Sequence, residues 1–169
     1  HRVHRRQRQM CIRDRDKADL SRKILSDVKD IINNDKKGSF SYNISNTDRS
    51  VGANVSGEIA SRYGEDGLSG SLNLNFMGSA GQSFGCWNAN GLNITLNGDA
   101  NDYVGKGMNG GKIIIKNDAD FAINDEKTIL AGNTCLYGAT GGEVYISGSV
   151  GERFAVRNSG AKAVIEGAG

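Results

Sequence analysis

The chain of 169 residues has few of the side chains on which metal and covalent chemistry depend. It contains three cysteines and two histidines, and no histidine lies beyond His4. Outside the N-terminal segment, only Cys86 and Cys135 remain, and two thiols alone cannot hold a tetrahedral zinc ion or a four-cysteine cluster. Both lie beside bulky apolar residues, which is typical of buried free thiols in a reducing cytoplasm. The sequence predicts no metal ligand, no cofactor-binding residue and no catalytic residue in this chain.

Aromatic residues make up only 7% of the chain. This low content argues against a carbohydrate-active groove, in which aromatic platforms flank a pair of carboxylates. Six acidic residues of the loops are candidate calcium ligands: Asp99, Asp102, Asp118, Asp120, Asp125 and Glu126. The G-G-x-G-x-D frame of calcium-binding β-rolls is absent, so we interpret these residues as solvated loop carboxylates.

Residues 1–15 differ in composition from the rest of the chain. They hold six arginines and one aspartate and show no apolar periodicity. Such a basic arm is typical of nucleic-acid or lipid binding, but its MCIRDR run resembles translated sequencing adaptor. We therefore interpret it as foreign or disordered and exclude it from the fold. Without this segment's net charge of +5, the chain's +2 becomes about −3. With no apolar run of membrane-spanning length, the sequence predicts neither a nucleic-acid partner nor a membrane partner.

Glycine and short aliphatic segments recur along the chain at intervals of about twenty residues. Gly78 and Gly98 are twenty residues apart, as are Leu72 and Leu92. Apolar residues alternate every second position in the segments between the glycines, which predicts strands. The predicted strands are 72–76, 92–96, 112–116, 143–147 and 162–166. Repeats of this length indicate a solenoid, in which each repeat buries its apolar face against its neighbours.

The composition of the repeats favours an all-β solenoid. Glycine, asparagine and aspartate disfavour helix and supply corners with positive φ, and the frame of a leucine-rich repeat is absent. We predict a single-stranded parallel β-helix whose apolar residues stack inward from coil to coil. The predicted layers are Leu72, Leu74 and Phe76; Leu92, Ile94 and Leu96; Ile113 and Ile115; Val144 and Ile146; and Ala163 and Ile165. The inward phase slips by one residue after Gly110-Gly111, which we attribute to an extra corner residue, and the acidic segment 118–127 interrupts the repeat.

A helical period precedes the repeats. Apolar residues spaced three and four apart predict an amphipathic helix from Ala18 to Asn33, followed by a polar stop ending at Gly38. We predict that residues 16–38 form a linker helix packed on a neighbouring domain and that 39–169 form the repeat domain. Residues 40–44 alternate as in a strand, and 55–63 fit a short helix or an irregular turn.

Several motifs in one order resemble the C-terminal glycine-repeat domain of the glutamate synthase large chain. They are NTDRSVG at 46–52, SGEIASRYG at 56–64, GSAGQSFG at 78–85, GDANDYVGKG at 98–107, GNTCLYGATG at 132–141 and GERFAVRNSG at 151–160. The resemblance runs from about Asp19 to the end of the chain. It implies a right-handed β-helix within a flavin and iron–sulfur enzyme that makes glutamate from glutamine and 2-oxoglutarate.

The resemblance also implies that the chemistry lies outside this chain. In the family an amidotransferase domain carries a cysteine nucleophile, and a barrel carries FMN and the iron–sulfur cluster. We therefore expect a non-catalytic, cytoplasmic scaffold whose partners are these two domains, with a small FAD/NADPH subunit as a further partner. Whether the electron donor is NADPH or ferredoxin stays open. Family members continue with further coils, so we expect this chain to be truncated at both ends.

Two loop segments combine charged, amide and aromatic side chains, as a specific interface does. The candidate interdomain contacts are Asp99, Asn101, Asp102, Tyr103, Arg153, Arg157 and Asn158. The alternative is that Asn and Asp satisfy backbone groups at tight corners.

Other functions are open as alternatives. One is a stand-alone glycine-repeat subunit of a multi-chain glutamate synthase or of a complex like formylmethanofuran dehydrogenase, and another is a carbohydrate-active β-helix. The segment from Gly105 to Gly110 matches G-x-G-x-x-G, but a dinucleotide site needs a helix after this motif and a strand is predicted there. We therefore predict no NAD site.

Overall fold

The computed structural model describes residues 19–117 and 128–169. Within them lie helix α1 (Asp19–Asn33), helix α2 (Ala53–Tyr63) and the strands β1 (Gly38–Ile44), β2 (Leu72–Ala80), β3 (Leu92–Ala100), β4 (Asn109–Lys116), β5 (Ile129–Ala131), β6 (Gly141–Val150) and β7 (Lys162–Ala168). The N-terminal arm and the acidic segment with Asp118, Asp120, Asp125 and Glu126 lie outside the described residues.

The seven described strands form one parallel sheet. Strands β1, β2, β3, β4 and β6 are neighbours in that order, β5 and β7 both pair with β6, and β5 also pairs with β3. Parallel pairing of successive strands places equivalent residues of each repeat side by side. The sheet is the mostly β, parallel architecture that the glycine repeat predicts, with two helices added.

The predicted stacking of apolar residues is confirmed by the strand register. Leu72, Leu74 and Phe76 pair with Leu92, Ile94 and Leu96. The column continues through Ile113 and Ile115, Val144 and Ile146, and Ala163 and Ile165. All but the last pair are buried, and each side chain removed from water contributes about 1.5–3 kcal/mol.

The strands are longer than predicted because they continue through their glycines. Gly78 and Gly98 are paired across β2 and β3, with φ of 126° and 143°. A Cβ on Gly98 would overlap the carbonyl oxygen of Gly78, and one on Gly78 would overlap that of Ile44. The glycines therefore bend the strands without ending them, and Ala80 and Ala100 beyond them are buried.

Gly110 and Gly111 also lie inside a strand, β4, and not at a corner before it. The register between β4 and β6 shifts between Asn109 and Lys112, which is where the sequence predicts an extra residue. Gly111 has a φ of 66° there, and an added Cβ would press on the carbonyl groups of Ala89 and Leu92. The predicted slip of phase is thus a bulge within the strand.

Helix α1 forms as predicted, but the prediction that it packs on a neighbouring domain is wrong. Its apolar stripe of Ile24, Val28 and Ile32 is at most 1% exposed and belongs to the same core as the strands. The hydroxyl of Tyr42 in β1 donates to Asp27 at 3.0 Å. Helix α1 therefore covers the β1 end of the sheet.

The opposite end of the sheet is open among the described residues. Strand β7 pairs with β6 alone. Ala163 pairs with Val144 as predicted, yet it is exposed, and Val164 beside it is 62% exposed. The two ends of the stack therefore differ: helix α1 packs over the β1 end, whereas none of the described residues packs over the β7 end.

The paired glycines of β2 and β3 lead to a stability prediction. Gly98→Ala is expected to destabilise the β2–β3 pair by about 2–4 kcal/mol, because an alanine there is strained and overlaps Gly78. Native-state hydrogen exchange of the β2 and β3 amides measures this local opening.

Gly138→Ala is the matched control, because Gly138 also has positive φ (65°) but an added Cβ meets nothing within 4 Å. It is expected to cost about 1 kcal/mol. Equal effects of the two substitutions would contradict the overlap at Gly98.

Candidate docking surface

Four turns beside the sheet share one unusual backbone pattern. In each, three residues at alternate positions have φ between 56° and 65°. The triplets are Ser83, Gly85 and Trp87; Tyr103, Gly105 and Gly107; Thr134, Leu136 and Gly138; and Arg153, Ala155 and Arg157. Two of the four third positions are glycine, which adopts positive φ without strain. The turns are therefore structural repeats as much as the strands are.

Positive φ at alternate positions lets the backbone amides bond in both directions along the stack. Ser83 N–H donates to Asp102 of the following turn at 2.8 Å, and Trp87 N–H donates to Lys106 at 2.8 Å. Between them, Gly85 N–H donates to Val51 of the preceding turn at 3.0 Å. The same alternation recurs for Tyr103, Gly105 and Gly107 and for Thr134, Leu136 and Gly138. Each turn is thereby tied to both neighbours.

The residue between the first and second positive-φ positions points into the core. In the four turns these residues are Phe84, Val104, Cys135 and Phe154; the first three are buried and Phe154 is partly buried. The prediction that Cys86 and Cys135 are buried free thiols is confirmed. Burial raises the pKa of Cys135 to about 11, and it also raises the pKa of Cys86.

Several of the predicted contact residues satisfy backbone groups of the turns. Asp102 accepts the Asn133 N–H at 2.7 Å, and Asn101 accepts the Asp102 N–H at 2.8 Å. Asn158 accepts the Ala161 N–H at 2.9 Å. The hydrogen bonds of these three residues support the corner interpretation.

Asp99 makes a different kind of contact within the chain. Its carboxylate accepts the hydroxyl of Ser79 at 2.6 Å, across the β2–β3 pair. Its side chain is exposed near the end of β3.

Tyr103, Arg153 and Arg157 each occupy a positive-φ position, and both arginines are exposed. Arg157 lies over the ring of Tyr137 at 5.8 Å. Tyr103 and Arg153 share the first position of their turns, and Arg157 shares the third position with Trp87. We group these three residues with Trp87 as the candidate docking surface (Trp87, Tyr103, Arg153 and Arg157).

Sequence reasoning missed Trp87, which is 58% exposed. It stands two residues after Gly85, as Gly107 stands two after Gly105, and this spacing is the signal that would have placed it in the repeat. Lys106 was missed as well, and its ammonium lies 5.3 Å from the ring centre of Tyr103.

Across the described residues, no three His, Cys, Asp or Glu side chains lie close enough together to hold a metal ion. Cys86 and Cys135 are buried in different turns and favour the protonated thiol. These two described thiols are fewer than the four cysteine ligands that an iron–sulfur cluster needs. Neither of the two described helices has the length and apolar character that a membrane span requires.

Parallel strands joined by stacked, glycine-rich turns define a glycine-repeat domain. The model of the GXGXG motif family matches residues 19–169, and the chain belongs to that family. It is 54% identical over 143 residues to ferredoxin-dependent glutamate synthase 2 of Synechocystis sp., covering 85% of this chain and 9% of the relative. It is 52% identical over 143 residues to the chloroplastic ferredoxin-dependent glutamate synthase of Oryza sativa subsp. japonica, with the same coverage.

A third relative is the ferredoxin-dependent glutamate synthase of Pyropia yezoensis, 56% identical over 128 residues, with 76% of this chain and 8% of the relative covered. These findings confirm the resemblance drawn from the motifs. The chain spans less than a tenth of the length of these relatives.

The environment of Cys135 leads to a reactivity prediction. With a pKa of about 11, its thiolate fraction at pH 8 is on the order of one in a thousand. Alkylation by iodoacetamide at pH 8 is expected to be about a hundredfold slower than for the same cysteine in the urea-unfolded chain. The rate is expected to keep rising with pH beyond 9. Peptide mass spectrometry after timed quenching measures it, and equal rates in folded and unfolded chain would contradict the burial.

Proposed function

We propose that this chain is a non-catalytic structural domain of a glutamate synthase, the enzyme that makes two glutamates from glutamine, 2-oxoglutarate and reductant. The observation that carries the proposal is identity of 52–56% to ferredoxin-dependent glutamate synthases over most of the chain. A structural role is supported by the site itself, because the described polar side chains of the turns mainly bond backbone groups. In this role the domain positions the amidotransferase and FMN domains.

The fold that we propose for this role is a right-handed parallel β-helix. In-register parallel pairing of successive strands supports it, as does the hydrogen bonding of each turn to the turns before and after. Parallel strands joined by crossovers are right-handed in nearly all proteins. Such a stack is rigid along its axis, which suits a part that holds others in place.

The proposed contacts to the other domains are the exposed side chains of the docking surface together with Asp99. Arg153 and Arg157 supply two positive charges at the first and third positive-φ positions of one turn. Asn101, Asp102 and Asn158 support the contact indirectly by holding the turns in shape. Arginine and aromatic residues are the side chains that interfaces favour.

The parent enzyme's cofactors and partners follow from the same proposal. FMN and the iron–sulfur cluster of the parent enzyme belong to its other domains in this proposal, and the two cysteines of the described residues are too few to hold a four-cysteine cluster. The names of the relatives favour ferredoxin over an FAD/NADPH subunit as the electron donor. Free thiols in the turns favour a reducing compartment such as the cytoplasm.

Charge reversal on the docking surface tests the structural role. Arg153→Glu combined with Arg157→Glu in the full-length enzyme is expected to raise the ratio of glutamine hydrolysed to glutamate formed. The reason is that replacing a charge that faces an opposite charge in an interface weakens the interface by about 2 kcal/mol or more. Paired assays of both products measure the ratio.

Lys37→Glu provides the matched control, because Lys37 is exposed near the end of α1, at the opposite end of the sheet. This substitution is expected to leave the ratio unchanged. If the double substitution also leaves glutamine hydrolysis coupled to glutamate formation, the proposed docking role is wrong.

A further inference from the structure

A groove lies between helix α2 and the turn that carries Trp87. It has a volume of ≈ 300 Å³. Its helix side is lined by Ser56 and by small residues spaced four, three and four apart, which are Ala53, Gly57 and Ala60 of α2 and Gly64 at its C-terminal cap. Its other side includes Trp87 and Gly107, and the indole lies so close to Gly107 that a Cβ there would be 2.9 Å from it. The groove thus adjoins the docking surface.

Gly57 makes no close packing contact with the described residues. An added Cβ at Gly57 meets nothing within 4 Å, and its φ is not positive. Glycine in the interior of a helix is destabilising, second only to proline. A glycine that neither the backbone nor the packing requires is explained if another backbone approaches α2 closely at this point.

Trp87 gives a second, independent indication. Its φ of 56° is strained for any residue but glycine, and 58% of this large apolar side chain is exposed. The equivalent positions of the next two turns are Gly107 and Gly138. An exposed, strained tryptophan is unfavourable for the chain alone, and its burial in an interface would offset that cost.

Ser56 provides a polar group in the same groove. It is 2% exposed, and its hydroxyl has no hydrogen-bond partner among the described residues. Buried hydroxyls are normally paired. Among the described residues that line the groove, Glu65 alone is charged, and Asn90 and Asn109 are polar. An occupant that is mainly apolar and carries one group able to hydrogen-bond to the Ser56 hydroxyl fits this lining.

We propose that this groove seats an α-helix from another domain of the same polypeptide. The spacing of the small residues on α2 matches the face that helices use for close packing, and the volume suits one large apolar side chain placed against Trp87. The matched relatives extend far beyond this segment, which spans 9% of each of the first two. This inference rests on the proposed docking role and names the element that the domain binds.

Hydroxyl-radical footprinting of the full-length enzyme tests the proposal. Oxidation of Trp87 is expected to be about fivefold slower in the native enzyme than its 58% exposure in this chain predicts, because an interface core leaves roughly a tenth of a side chain exposed. Gly57→Glu is expected to restore most of the oxidation rate, since a carboxylate cannot be buried in an apolar contact. Gly57→Ala, which adds one methyl group, is expected to restore less.

Asn54→Glu is the matched control, because Asn54 is exposed on α2 outside the groove. It is expected to leave Trp87 protected. Oxidation of Trp87 in the native enzyme at the rate of an exposed tryptophan would overturn the proposal, and so would protection that Gly57→Glu does not change. If dilution of the enzyme removes the protection of Trp87, the occupant of the groove is a second copy of the chain, and the proposal is overturned as well.

The footprinting experiment tests the helix in the groove, and the coupling assay tests the docking role, so either proposal can fail without the other. If Trp87 is protected but coupling survives charge reversal of Arg153 and Arg157, the proposal of a helix in the groove stands and the proposed role of the arginines in coupling is wrong. Loss of coupling with an exposed Trp87 would keep the docking role and reject the helix in this groove.

Discussion

The architecture depends on one constraint, which is that the backbone amides of each repeat need hydrogen-bond partners, most of which lie in the repeat before or after it. In the strands, parallel pairing meets this requirement directly. In the turns it is met only because alternate residues take positive φ, which directs successive N–H groups up and down the stack. Glycine occupies four of the twelve positive-φ positions of the four turns and takes that conformation without strain, whereas the eight other residues there are strained.

The sequence predicts those features of the fold that depend on residues close together in the chain, and it does not predict packing between distant segments. Alternation and a spacing of twenty residues predict that Leu72 stacks on Leu92 and Leu74 on Ile94, and the register agrees. The helical period of α1 is equally local. What α1 packs against is not local, since an amphipathic stripe fits any apolar surface. Its packing on the domain's own core was therefore beyond the sequence.

The candidate site shows the same limit in its side chains. Asp102 and Tyr103 are neighbours in one loop, yet the carboxylate of Asp102 accepts the Asn133 N–H while the half-buried ring of Tyr103 lies beside the ammonium of Lys106. Asn and Asp serve both as corner residues and as contact residues, so composition alone does not separate the two uses. The stacking of the turns determines which Asn and Asp side chains lie within hydrogen-bonding distance of a backbone group. It also places Trp87 at an exposed position of its turn.

The same stacking explains why a side chain at a positive-φ position makes a good contact residue. The amide of Trp87 is bonded to Lys106, and Gly85 before it is bonded to Val51. The direction of the side chain is therefore fixed by bonds to turns on both sides and is not free to adjust. Each strained residue costs of order 1 kcal/mol or more, but it arrives at an interface already ordered, and less entropy is lost on docking. A rigid ladder of this kind holds Trp87 and Arg157, three turns apart in the same position, at a fixed separation.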